Sequence, residues 1–230
     1  MSPRIGVLLS GCGFLDGTEI REAVLTLLAL DRLGAEAVCL APGGLQRQVI
    51  DHGTGKETLG SSRDMLAESA RIARGEIGDV AVASAAVLDG LILPGGYGAA
   101  KNLSDFAFAS ARATVHPEVA RLLREMHQAR KPIGAICIAP AVVAAVLGPT
   151  AHPLLTIGDD PGTAAALLAM GARHQTCAAT GCVVDAANRI VSTPAYMFDA
   201  RLADIALGIE RACEAVVAMC GGARAHGASS

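Results

Sequence analysis

One cysteine stands where an apolar run that reads as a buried strand gives way to an alanine-rich helical pattern: Cys137, in 133-IGAICIAPAV-142. At the start of a helix the unpaired N–H groups and the positive end of the dipole favour a thiolate. Such sites lower a cysteine pKa from ~8.5 to between ~3.5 and ~7.5. The expectation is an ionised, exposed nucleophile held above a sheet, as in a hydrolase elbow. A second strand end, 94-PGG-96, supplies backbone N–H groups with no Cβ in the way. Gly95 and Gly96, with the N–H of Ile138, are therefore expected to bind an oxyanion. An acid is available too. Glu19 and Glu22 lie three apart on a predicted helix and share a face. Glu22 is flanked by Ala23 and the segment Leu25–Leu28. It is expected to be half-buried, with a raised pKa suited to moving protons near neutral pH.

The elements that must position these groups alternate. Ile5–Leu9 reads as a doubly buried strand ended by 10-SGCG-13. Thr18–Leu33 reads as a helix whose apolar side is Ile20, Ala23, Val24, Leu27, Leu28 and Leu30, stopped at Gly34. Strands follow at Ala37–Leu40, Leu88–Leu93, Ile133–Ile136, Leu154–Ile157 and Ile190–Ser192. Helices are predicted over Ser62–Arg74, Pro117–Arg130, Ile138–Leu147, Asp160–Met170 and Arg201–Met219. Pro140 is tolerable because it lies in a first turn. The pattern predicts a single domain over residues 1–220: an α/β, flavodoxin-like three-layer sandwich with a mostly parallel sheet and helices on both faces. Residues 221–230 read as a frayed tail. Ligands of such sheets sit at the carboxyl ends of the strands. Pocket walls are expected from insertions around 43–61 and 97–115.

Composition narrows the class. The 230 residues are 52% hydrophobic and 18% charged with net charge −3, and only three are lysine. No nucleic-acid partner is implied. The first glycine-rich turn misses a dinucleotide fingerprint because Asp16 stands where its third glycine belongs. The apolar run at the N-terminus is too short for a signal peptide. Pro132–Leu147, broken by Gly134 and Pro140, is too short for a membrane span. Seven cysteines argue against a disulfide framework, and a cytosolic or cytosol-like compartment is expected. His174, Cys177 and Cys182 match no common zinc spacing and read as local packing, so neither metal nor cofactor is expected.

Taken together, 94-PGGYGAAKNLS-104, 134-GAICIAPAV-142 and an early helix glutamate resemble the ThiJ/PfpI superfamily, whose fold is amidotransferase-like. More narrowly, 6-GVLLSGCGFLDGTEIREAV-24, 155-LTIG-158 and 193-TPAYM-197 resemble the enhancing-lycopene-biosynthesis proteins, also called isoprenoid biosynthesis glyoxalases. The resemblance implies Cys137 as nucleophile, Glu22 as its acidic partner, and Gly95 and Gly96 on the oxyanion side. Glu19 and Asn102 join the set without an assigned rank. It also implies a homodimer, and activities that include glyoxalase, protein deglycase, amidase and chaperone-like roles. Two departures matter. Ile138 stands where amidotransferases of this fold often carry histidine, and Gly158-Asp159-Asp160 stands where others do. His52, His116, His127, His152 and His174 read as structural or exposed.

A cysteine and a carboxylate without histidine suit aldehydes better than amides, whose leaving group needs an acid. The expected activity is conversion of glyoxal, a small dicarbonyl, to glycolate without glutathione, metal or cofactor. The alternatives are a redox-sensing or regulatory protein linked to isoprenoid biosynthesis, and a cysteine amidase.

Overall fold

The structure, a computed structural model, describes residues 2–222. Its strands are β1 (Arg4–Leu8), β2 (Glu36–Ala41), β3 (Ile50–Asp51), β4 (Lys56–Glu57), β5 (Gly78–Asp79), β6 (Gly90–Leu93), β7 (Ile133–Ile136), β8 (Leu154–Leu155), β9 (Arg173–His174), β10 (Val183–Asp185) and β11 (Ile190–Thr193). Its helices are α1 (Ile20–Arg32), α2 (Met65–Ile72), α3 (Tyr97–Lys101), α4 (Phe106–Ala109), α5 (Pro117–Gln128), α6 (Ala139–Ala151), α7 (Pro161–Ala169) and α8 (Leu202–Gly222).

Seven strands form the central sheet in the order β10-β11-β7-β6-β1-β2-β5. Every pair is parallel except β10 with β11 at one edge. Strand side chains alternate between two cores, as a sheet covered on both faces requires. Ile5, Val7, Leu9, Ile92 and Ile136 pack with α1 and α8. Leu8, Leu91, Leu93, Ile133 and Ala135 pack with α5 and α6 on the other face. The result is the flavodoxin-like three-layer sandwich that the alternation predicts.

Three expectations need correction. Leu154–Ile157 does not extend the central sheet; Leu154 and Leu155 pair with Arg173 and His174 in a small sheet of their own. It lies beside β10 and β11 with Leu155 and Ile157 buried in the core, which an apolar run cannot distinguish from a central strand. The C-terminal helix runs to Gly222, so Gly221 belongs to α8, and the rest of the expected tail, 223–230, lies outside the described residues.

The third correction is the orientation of α1. Its buried residues are Glu22, Ala23, Thr26, Ala29 and Leu30, whereas Ile20, Val24 and Leu28 are exposed. The helix is turned so that Glu22 is buried along with Ala23 and Leu30, while Ile20, Val24 and Leu28 face away. Thr26 helps by donating its hydroxyl to the Glu22 carbonyl at 2.8 Å, which removes one buried unpaired group.

Candidate active site

Strand β7 ends at Ile136 and helix α6 begins at Ala139, so two residues make the corner. Cys137 turns it with φ 60°. This left-handed conformation costs an L-residue about 1–2 kcal/mol. The corner is held by the Cys137 N–H, which donates to the Thr193 carbonyl at 2.9 Å. Ile138 occupies the cap position of α6 and provides no capping side chain. The first N–H groups of the helix are therefore left for the sulfur.

Glu22 reaches this corner from below. One carboxylate oxygen accepts the Gly95 N–H at 2.8 Å and the other accepts the Tyr196 N–H at 3.3 Å. A hydrogen bond also joins Glu22 to the Cys137 thiol. Rather than half-buried, Glu22 is fully buried. Burial first, and the neighbouring Glu19 carboxylate second, push its pKa up to about 8.

The thiol is not held as an anion, and this overturns the expectation from the helix dipole. Cys137 is 7% exposed. Burial, and then the charge of Glu22, raise its pKa well above the ordinary value. The N–H groups of Gly96 and Ile138 bond the sulfur and pull the other way, but do not win. Desolvation of a charge in such a site outweighs partial charges from two backbone dipoles. The two groups titrate as a pair. At neutral pH the resting state is a thiol beside a carboxylic acid, and removal of one proton creates the nucleophile.

The glycines divide the work that was expected of both. The Gly95 N–H is spent on Glu22, so it is not free for an oxyanion. Its lack of a side chain is still required. A Cβ there would lie 2.5 Å from Cys137 Cβ and 2.8 Å from Glu22 Oε2. Gly96, at φ 92°, turns its N–H to the sulfur. Gly96 and Ile138 are thus the pair of donors at the nucleophile.

Glu19 is the N-cap of α1 and not a helical neighbour of Glu22. Its Oε2 accepts the Glu22 N–H at 2.6 Å, while its own N–H donates to the Gly95 carbonyl at 2.9 Å. The side chain lines the cavity above Cys137, and burial raises its pKa. Glu19→Gln keeps a capping oxygen but removes a negative charge that raises the Glu22 pKa. The pH midpoint for alkylation of Cys137 is expected to move down in that variant, because the pair then gives up its first proton more easily. An unmoved midpoint would show that Glu19 does not tune the pair.

Asn102 lies elsewhere. Its Nδ2 donates to the carbonyls of Ser10 at 2.9 Å and Asp16 at 2.7 Å, and its Oδ1 accepts the Arg47 N–H at 2.9 Å. With its amide occupied in tying loops together, it has no group to offer a substrate.

The cavity over Cys137 measures about 450 Å³. Phe14, Tyr97, Phe106, Tyr196 and Met197 form much of its wall, with Glu19, Asp160 and Thr163 as polar members. No lysine, arginine or histidine is among its lining residues. The 97–115 segment contributes as expected, but the 43–61 segment does not reach this cavity. It supplies His52 to an adjoining cleft that shares Phe14, Glu19, Tyr196 and Met197. The roles of Tyr196 and Met197 escape sequence reasoning. Their only signal is the family-like 193-TPAYM-197, which says nothing of where they point.

No family model matches the chain. Curated relatives do. Glutamine amidotransferase-like class 1 domain-containing protein 3, mitochondrial, of Homo sapiens is 47% identical over 215 residues, covering 90% of this chain and 79% of that protein. The ES1 protein homolog, mitochondrial, of Rattus norvegicus is 44% identical over 227 residues, covering 95% and 84%. The crystal structure of an isoprenoid biosynthesis protein with amidotransferase-like domain from Ehrlichia chaffeensis superposes with TM-score 0.87 at 42% identity, covering 94% of this chain and 99% of that one. Drosophila melanogaster DJ-1beta shares the fold at TM-score 0.52 and 21% identity, covering 97% and 98%.

The expectation of a cytosolic location is overturned by these relatives, since both curated ones are named mitochondrial. Unpaired cysteines distinguish reducing from oxidising compartments but do not separate one reducing compartment from another. Among the described residues no helix is long and apolar enough to cross a membrane.

Proposed function

The chain belongs to the glutamine amidotransferase-like class 1 and ES1 family of the ThiJ/PfpI superfamily, and from that premise we propose that it is a cofactor-independent glyoxalase that converts glyoxal and water to glycolate. The observation that carries the reading is the buried Glu22–Cys137 pair, with Glu22 titrating at about 8, beneath a cavity lined by no histidine.

The chemistry starts when Glu22 in its ionised form takes the thiol proton. At pH 7 roughly a tenth of a group titrating near 8 is ionised. The sulfur attacks one aldehyde carbon. The S–C bond forms, and the carbonyl electron pair moves to oxygen, which is protonated to give a hemithioacetal. The N–H groups of Gly96 and Ile138 sit at the sulfur, where they can steady the developing alkoxide. A carboxylate then removes the C–H proton, an enediol forms, and a proton is returned to the neighbouring carbon. One carbon is thereby oxidised to a thioester and the other reduced to an alcohol. Water hydrolyses the thioester, releasing glycolate and the thiol.

The two carboxyls divide these steps. Glu22 does not line the cavity and serves the sulfur. Glu19 does line it, and burial raises its pKa toward the range that carbon-proton transfer needs. The absence of cationic lining residues suits an uncharged dicarbonyl and offers nothing to a carboxylate or phosphate. Amide hydrolysis finds no support in this lining, because no acid of the histidine type faces a leaving amine. Peroxide sensing by Cys137 finds none either, since it needs an exposed thiolate.

Turnover of glyoxal in deuterium oxide tests both the activity and its route. The expected product is glycolate with one deuterium on carbon, taken from solvent by the enediol. Glycolate free of carbon-bound deuterium would mean that the hydrogen passes between the carbons without exchange, and would reject a relay through a solvent-exchanging carboxyl. No glycolate above the protein-free rate would reject the activity.

A further inference from the structure

Away from the cavity, two of the seven cysteines share one short loop. Cys177 and Cys182 flank the turn Ala178–Gly181, which is closed by the Gly181 N–H donating to the Ala178 carbonyl at 2.9 Å. Residues just outside a closed four-residue turn face one another across the chain reversal. The two thiols are close enough to interact electrostatically across the turn, and a disulfide between them asks for Cα atoms roughly 4.4–6.8 Å apart.

The side chain of Cys177 is already placed for this. An ideal Cβ on Gly181 would lie 2.8 Å from Cys177 Sγ. The sulfur therefore leans over the turn, into space left by the glycine that precedes Cys182. Each thiol is partly exposed, so a small reagent can reach it. Burial raises the pKa of both, and the charge of Cys177 further raises that of Cys182.

The second half of the loop is anchored. The Thr193 hydroxyl donates to the Gly181 carbonyl at 2.7 Å, and Arg211 Nη1 donates to the Thr180 carbonyl at 2.7 Å. Helix α8 also approaches so closely that a Cβ on Gly208 would lie 2.1 Å from the Ala179 carbonyl oxygen. The Cys182 end of the loop is thus held in place, with the Cys177 sulfur lying over the turn beside it. Thr193 is the residue whose carbonyl holds the Cys137 N–H, so the loop lies against β11, the neighbour that braces the nucleophile's corner.

We propose that Cys177 and Cys182 are a redox-active dithiol that closes to an intramolecular disulfide by exchange with a low-molecular-weight disulfide. The Cys177 thiolate attacks one sulfur of the small disulfide; a mixed disulfide forms and one small thiolate leaves. The Cys182 thiolate then attacks the Cys177 sulfur and expels the second. Two protein thiols are oxidised and one small disulfide is reduced to two thiols, which take up the two protons that the protein gave to solvent.

The test uses the full chain equilibrated with oxidised glutathione, followed by alkylation and trypsin. Cleavage after Arg173 and Arg189 leaves both cysteines in one peptide, HQTCAATGCVVDAANR. The expected result is a peptide lighter by two hydrogens, resistant to alkylation, and restored by dithiothreitol. In Cys182→Ser the second step is blocked, and Cys177 should accumulate as its glutathione adduct. Two alkylated cysteines, or glutathione adducts without ring closure in the unaltered chain, would overturn the proposal.

Discussion

Cys137→Ala is expected to remove enzymatic glycolate formation entirely, leaving only the rate of glyoxal in buffer. No other described cysteine lines the cavity, and the mechanism has no covalent step without a thiol. The variant should remain folded, because alanine keeps the buried Cβ and the Cys137 N–H bond to Thr193 is a backbone bond. Strain supplies a second reading of the same position. The corner residue sits at φ 60°, and relief of about 1–2 kcal/mol of strain there exceeds the roughly 0.5–1 kcal/mol that glycine loses through the unfolded chain, so Cys137→Gly should be at least as stable as Cys137→Ala while remaining inactive. Product analysis and thermal unfolding check the two halves. Normal turnover by Cys137→Ala would reject the nucleophile. A Cys137→Gly chain less stable than Cys137→Ala would show that the corner is not strained.

Glu22→Gln is expected to separate activity from stability. Turnover should fall by about 10²–10⁴, the range associated with loss of a positioned general acid or base. Stability should move oppositely. The folded pKa of Glu22 is raised from 4.5 to about 8. A raised acid favours the folded state fully below its unfolded value, and that contribution is lost as pH rises through the folded value. At about 1.4 kcal/mol per pH unit, the loss approaches roughly 5 kcal/mol above pH 8. Glutamine does not titrate. The variant's stability relative to the parent chain should therefore increase between about pH 4.5 and 8 and level off beyond. Its amide can still accept the Gly95 N–H through oxygen, but its NH₂ group faces the Tyr196 N–H, which sets a constant penalty and leaves the pH slope intact. Denaturant unfolding of both chains across that window measures the slope. A flat difference would mean that Glu22 is ionised at low pH, and the proposed resting state would fall with it.

These effects share a cause. A carboxyl group that water could reach would ionise near its usual value and leave its proton on neither the sulfur nor the substrate. Turning α1 inward deprives Glu22 of water and places its proton exchange near neutrality. On the opposite side of the helix Ile20, Val24 and Leu28 are exposed in the single chain.

Local signals in the chain determined the alternation of strands and helices, the strand-to-helix corner at Cys137, the glycine turn at 95–96 and a carboxylate early in α1. Each depends on residues adjacent in sequence: apolar runs, turn formers, and the start of a helix. The tertiary structure alone decided which face of α1 is buried, that Glu22 is dry, that Gly95 serves Glu22 while Gly96 serves the sulfur, that Asn102 ties loops, and that Tyr196 and Met197 wall the cavity. It also decided the protonation of Cys137, where the helix start argues for an anion and enclosure prevails. The reason is that desolvation and packing are set by every group within a few ångströms, and around Cys137 those groups come from residues 19–22, 95–97, 137–138 and 193–197, brought together only when the sheet closes.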